Sequence, residues 1–162
     1  MKPMDRRPTP IDGRLRAAAE LLDHAMRAIY SQCFADGLNP AQWSALRYVA
    51  RANPSSRTLT DFARFHFVSK SAASDTISAL VRKELLVKKK DLRDGRVAQL
   101  EVTERARQIL CNDPLDLLVG ALAQLPPQSQ ETATELVATV TRSVYASVAE
   151  SDLAKDQQAA VA

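Results

Sequence analysis

Little in this sequence can form a covalent or metal-held framework. Its 162 residues include only 2 Cys and 2 His. Cys33 and Cys111 lie far apart, as do His24 and His66, so neither a disulfide scaffold nor a zinc-ligand spacing is offered, and a reducing compartment fits best. Glycine occurs only 4 times and aromatic residues make up 5%. That scarcity argues against a β-sandwich and for a mostly helical chain. No apolar run approaches the roughly 18 residues of a membrane span. The charged start, MKPMDRRPTP, has no apolar segment of signal-peptide type behind it, so a cytoplasmic protein is expected. Nucleophile elbows, phosphate loops and paired carboxylates in a recognisable setting are missing too, and neither catalysis nor a cofactor is expected.

What is present centres on Thr58 to Thr103. Ser69 is a good N-cap, and after it Ala73, Ile77, Leu80 and Val81 fall on one helical face. The opposite face carries Lys70, Ser71, Ser74, Asp75, Ser78 and Arg82. Small polar side chains near a helix start leave room for a base-pair edge, and the flanking cations suit phosphates, so this face fits a major groove. Considered alone, such a helix is more often a plain solvated one; its neighbours change the balance. Upstream, Thr60 is positioned to cap a short helix whose Phe62, Ala63 and Phe65 face the second. Downstream, Leu85, Leu86 and Val87 lead into Lys88, Lys89 and Lys90, and Ala98, Leu100 and Val102 alternate with Gln99 and Glu101. That period of two predicts a half-buried hairpin, with Asp94-Gly95 as its turn. Arg93 and Arg96 near the tip suit an adjacent minor groove, whose potential attracts arginine. The order is that of a winged helix-turn-helix.

The formal net charge of +3 hides an uneven distribution. Gly37 to Leu110 holds 14 Lys and Arg against 7 Asp and Glu, a net +7, while the remaining residues hold 8 against 12, a net −4. The basic charge therefore sits in the candidate DNA-reading unit. Lys88 to Lys90 and Arg82 would supply phosphate contacts that position without specifying sequence.

Taken in order, residues 1–10 read as a mobile arm with three prolines. Ile11 to Cys33 carries an apolar stripe (Leu15, Leu22, Met26, Ile29) that Asp36-Gly37 closes. Asn39-Pro40 starts a second helix, Ala41 to Ala52, burying Trp43, Leu46, Val49 and Ala50. Arg57 to Leu59 reads as a brief strand joining the hairpin. Thr103 caps a further helix, and Pro114 forces a bend or a break near Asn112-Asp113. Pro126-Pro127 precedes a last helix, Gln128 to about Glu150, striped by Leu136, Val137, Val140, Val144 and Val148; residues 151–162 read as a frayed tail. The domain thus covers 11–150, with the winged unit at about 38–103 and flanking helices at about 11–36 and 104–150. The stripes of those flanks exceed what the winged unit can cover. A homodimer built from both chain ends accounts for them, and it would place two reading helices about 34 Å apart on a pseudo-palindromic double-stranded DNA operator.

These motifs resemble the multiple-antibiotic-resistance regulator (MarR) family of winged helix-turn-helix transcription regulators. The likeness is carried by Leu38 to Trp43 with Leu46-Arg47, by Val68 to Ser74, and by Asp91, Asp94 and Arg96 followed by Val97 to Leu100 and Thr103. It implies a homodimeric repressor or activator. It also implies that Asp94 and Arg96 brace the wing while Arg93 or Gly95 meets DNA, and that a small phenolic or carboxylate effector releases the operator. The sequence departs from the family pattern at Glu84 and Ala106, where glycine is common, and at Asp75, where arginine is frequent on the reading face.

Tyr30, Phe34, Trp43 and Arg47 lie where the first two helices should meet and are the candidate effector pocket, an aromatic wall with one arginine; a plain hydrophobic core with a surface arginine is at least as good a reading. Cys33 is a candidate redox sensor, but it continues an apolar stripe and reads first as a small buried hydrophobe. A winged module that has turned from DNA to protein interaction is the alternative from a different class, with Asp75 and Glu84 as its evidence.

Overall fold

In the computed structural model, which describes residues 13–90 and 98–159, the helices starting at Pro40, Leu59, Lys70 and Glu104 begin where the sequence offers a side-chain cap. The order is α1 (Gly13–Gln32), α2 (Pro40–Arg51), α3 (Leu59–Phe65), α4 (Lys70–Arg82), β1 (Leu86–Lys90), β2 (Ala98–Val102), α5 (Glu104–Leu110), α6 (Asp116–Ala123) and α7 (Pro127–Ala159). Short 3-10 turns occupy Cys33–Asp36 and Pro54–Ser56. This is the expected mainly helical winged helix-turn-helix. The segments 1–12 and 91–97, which hold the expected N-terminal arm and the wing tip, lie outside the described residues.

Gly37 stops the first helical stretch at φ 66, with its N–H on the Phe34 carbonyl at 3.0 Å. A left-handed residue costs glycine nothing. Asn39 then starts α2 through a reciprocal pair: its Oδ1 accepts the Gln42 N–H at 2.9 Å, and Gln42 Oε1 accepts the Asn39 N–H at 3.2 Å. Ser69 caps α4 and Thr103 caps α5, accepting from Ala72 and Ala106. The cap of α3 is Thr58 and not Thr60: Thr58 Oγ1 accepts the Asp61 N–H at 3.1 Å. Thr58 is extended (φ −114, ψ 159), as an N-cap must be. The same geometry lets it form a bridge to Gln99, so the brief strand contracts to that bridge plus the Leu100 N–H on the Arg57 carbonyl at 2.7 Å.

α2 lies at the centre, packed on α4, β2, α5 and α3. Trp43, Leu46 and Val49 from α2, Phe62 from α3, Ile77 and Leu80 from α4, and Leu86 and Leu100 from the hairpin form one core. Phe65 leaves it: though expected to face α4, it is exposed, because α3 has only two turns and ends beside it. Pro114 produces a break between α5 and α6, where Asp113 Oδ1 accepts the Leu115 N–H at 2.9 Å. The last helix continues to Ala159, past the end expected near Glu150. Outside the core, Leu15, Leu21 and Leu22 of α1, Leu117 and Val119 of α6, and Leu136, Val137, Val140, Val144 and Val148 of α7 are all exposed.

Glu84 sits between α4 and β1 at φ 59. Its carboxylate lies 3.8 Å from Arg105, with both side chains exposed, an ion pair worth little. Glu84→Gly should therefore stabilise the fold by about 1 kcal/mol, the cost of a left-handed non-glycine residue. A thermal melt reads it: an increase of a few degrees is expected, and a decrease would assign Glu84 a favourable contact that outweighs its backbone.

Candidate nucleic-acid interface

The packed face of α4 fixes where its other face points. Ala73, Ile77 and Leu80 are buried against α2 and α3. Lys70, Ser71, Asp75 and Arg82 are consequently exposed, while Ser74 and Ser78 are half-buried. A helix of 13 residues spans about 20 Å and has the diameter of a major groove. At its start, Ser69 Oγ satisfies the Ala72 N–H at 3.1 Å. The N–H groups ahead of it are left facing outward beside Lys70, an arrangement that favours an anion. Among the expected reading residues, Asp75 is the one carboxylate.

The hairpin aligns Leu86 with Val102, Lys88 with Leu100 and Lys89 with Gln99. Strand alternation sends Lys88 and Lys89 to opposite faces, so the lysine run does not act as one block. Lys89 Nζ is 2.6 Å from Glu101 Oε2, on its own sheet face. That pairing reduces what Lys89 can offer a phosphate. Lys90 ends β1, and Arg93 and Arg96 fall outside the described residues.

Three solved structures share this architecture. The Staphylococcus aureus MepR–DNA complex matches with a TM-score of 0.65 at 15% identity, covering 78% of this chain and 94% of that one. The transcriptional regulator BldR from Sulfolobus solfataricus gives 0.62 at 22%, covering 83% and 99%. A probable transcriptional regulator from Pseudomonas aeruginosa gives 0.60 at 22%, covering 76% and 93%. At such identities the likeness establishes the fold. No curated protein matches the sequence. Residues 36–97, from the end of the first helical stretch into the wing, match the MarR family model. The winged unit is similar to that family over this span.

Within this MarR-type fold the four residues expected to line an effector pocket are not brought together. Trp43 is fully buried, and its indole N–H donates to the Cys33 carbonyl at 2.9 Å. Tyr30 and Phe34 are exposed. Arg47 lines a cavity of about 500 Å³ with Ser44, Tyr48, Arg51, Phe65 and His66, a cavity that the other three do not line. Arg47 follows Trp43 by four residues on α2 and so lies about 40° further round the helix, enough to move it from the core to the flank. There Arg47 Nη1 meets Asp113 Oδ1 at 2.7 Å, with both side chains largely shielded.

Sequence reasoning missed the rest of this cavity. Tyr48 donates its hydroxyl to the Ser56 carbonyl at 2.7 Å, and burial, with Asp61 adding to it, holds its phenol above the usual pKa, so it stays a donor. His66 lies 3.4 Å from Ser44 Oγ, and its ring packs on Tyr48, Phe62 and Phe65. Burial, aided by Arg47, pushes the imidazole below its ordinary pKa, favouring the neutral ring. The aromatic content of α3 was the available signal, but the contacts join residues far apart in sequence. Cys33 is buried, donates weakly to the Ile29 carbonyl at 3.6 Å, and has its pKa raised chiefly by that burial. A reactive thiol needs the opposite environment.

Proposed function

We propose that this chain is a homodimeric, sequence-specific DNA-binding transcriptional regulator, most simply a repressor released by a small aromatic or carboxylate effector. The exposed polar face of α4, presented by a core that buries only its other side, carries the reading. Lys70, Ser71, Ser74, Asp75 and Ser78 then meet base edges. Arg82, Lys88, Lys89 and Lys90 position the backbone, and Arg93 with Arg96 serves the minor groove. MepR, of the same fold, has been solved with DNA. Dimerisation is supported by the exposed apolar residues of α1, α6 and α7, too many for an isolated chain to leave in water. The cavity around Arg47, Arg51, Tyr48 and Phe65 has cations, aromatic walls and a volume suited to the effector. Among the described residues no helix is long and apolar enough to cross a membrane.

Fluorescence anisotropy on the DNA upstream of its own gene, against a shuffled duplex and across a salt series, tests the reading. Competitor-resistant binding should weaken with salt at a log-log slope of about −0.9 per phosphate contact. Arg82→Ala should flatten that slope by about one contact and weaken all sequences alike; an unaltered slope would remove Arg82 from the phosphates. Weak binding, equal on both duplexes, would instead favour a winged module for protein interaction.

A further inference from the structure

The helix-turn-helix turn contains a residue in a costly conformation. Phe67 stands at φ 52, where an L side chain is unfavourable, and no glycine has been placed there. Its ring lies against Tyr145 of α7, with centroids 4.2 Å apart and planes inclined by 18°. Phe67 is still half exposed, so the stack and not burial in the core is what the ring gains from its position. Two residues later Ser69 caps α4. The turn itself is held by the Phe67 N–H on the Arg64 carbonyl at 3.3 Å and the Val68 N–H on the Ala63 carbonyl at 3.1 Å. An aromatic plate from the last helix thus rests on the residue that aims the reading helix.

We propose that the Phe67–Tyr145 stack clamps the start of α4 to α7, making Tyr145 a positioning residue for DNA reading. The proposal rests on the regulator reading for its purpose, but the clamp itself does not depend on DNA. α7 carries the exposed stripe Leu136, Val137, Val140, Val144 and Val148, one turn of which flanks Tyr145 on either side. Whatever covers that stripe fixes α7. Through Tyr145 it also fixes the angle at which α4 leaves the turn, and a second copy packed there would set the angle between the two reading helices.

Tyr145→Ala and Tyr145→Phe in the full-length protein test this by amide exchange without DNA. In Tyr145→Ala, exchange at Phe67, Val68, Ala72 and Ala73 should quicken roughly three- to tenfold, the range an aromatic pair supports. Amides of α2 and β2 should keep their rates, and Tyr145→Phe should restore the wild-type pattern because the ring remains. Unchanged exchange in the turn, or an equal increase throughout the chain, would overturn the clamp. Operator binding then separates the two readings. A clamp confirmed by exchange in a wild-type protein that prefers no DNA would leave the clamp standing and remove the regulator. With a DNA-binding wild type, Tyr145→Ala should weaken the palindromic operator and tolerate altered half-site spacing, while a single half-site is bound as before. A spacing preference as sharp as wild type would overturn the role of Tyr145 in reading.

Discussion

Ile77→Asp is expected to abolish the folded state, not merely to weaken DNA binding. Ile77 is 0% exposed in the core that α2, α4 and the hairpin share. Replacing it forfeits about 2–3 kcal/mol of apolar burial, and an ionised carboxylate without a partner there adds several kcal/mol more. Together these approach the roughly 5–15 kcal/mol that holds a typical domain together. Circular dichroism with thermal melting should show no cooperative transition, or one far below wild type. Ser71→Asp, on the exposed side of the same helix, should melt like wild type while losing DNA through repulsion from phosphate. If Ile77→Asp melted near wild type, the face assigned to the core would be the wrong one.

The second large effect is expected at Asp113→Ala. Asp113 is 5% exposed and accepts both the Arg47 guanidinium and the Leu115 N–H through Oδ1. Removing one partner of a buried pair costs about 3–5 kcal/mol, because the other charge stays behind. Two features reduce this. Arg47 retains 17% side-chain exposure, and Asp113 Oδ2 is buried without a hydrogen-bond partner, so its loss recovers some desolvation. A net loss of about 2–4 kcal/mol follows. In a protein of this size that is a fall in melting temperature of roughly 5–15 °C. Asp113→Asn should fall less, since its oxygen still caps Leu115. In a double-mutant cycle with Arg47→Met, additive effects would mean that the two residues do not act as a pair.

The two predictions differ in how visible their basis was beforehand. Ile77 was readable because its face repeats every three or four residues, and the core of α4 follows from that period alone. Asn39, Ser69 and Thr103 were readable as caps for an equally local reason. Thr58 was harder, since it serves as both cap and bridge, and the bridge partner, Gln99, lies far along the chain. Arg47 is legible as an arginine near an aromatic cluster, but its partner Asp113 reads only as a turn residue before Pro114. Nothing local in the sequence pairs residues across that separation. The left-handed Glu84 was anticipated because glycine is common there in the family the sequence resembles. Phe67 carried no such signal, as nothing near it reads as a glycine substitute. Lys88 to Lys90 looked like a uniform basic run until the strand's alternation divided it between two faces.

Trp43 offers a use unrelated to binding. It is the sole tryptophan, fully enclosed, with its indole N–H on the Cys33 carbonyl where the first helical stretch meets α2. The protein's ultraviolet emission therefore reports from one known seam. Opening of that seam should shift the emission to longer wavelength even while α3, α4 and the hairpin remain intact. Unlabelled protein can thus be watched through titration, dilution or heating, and a red shift that precedes the loss of helical ellipticity would identify the first helical stretch as the part that detaches first.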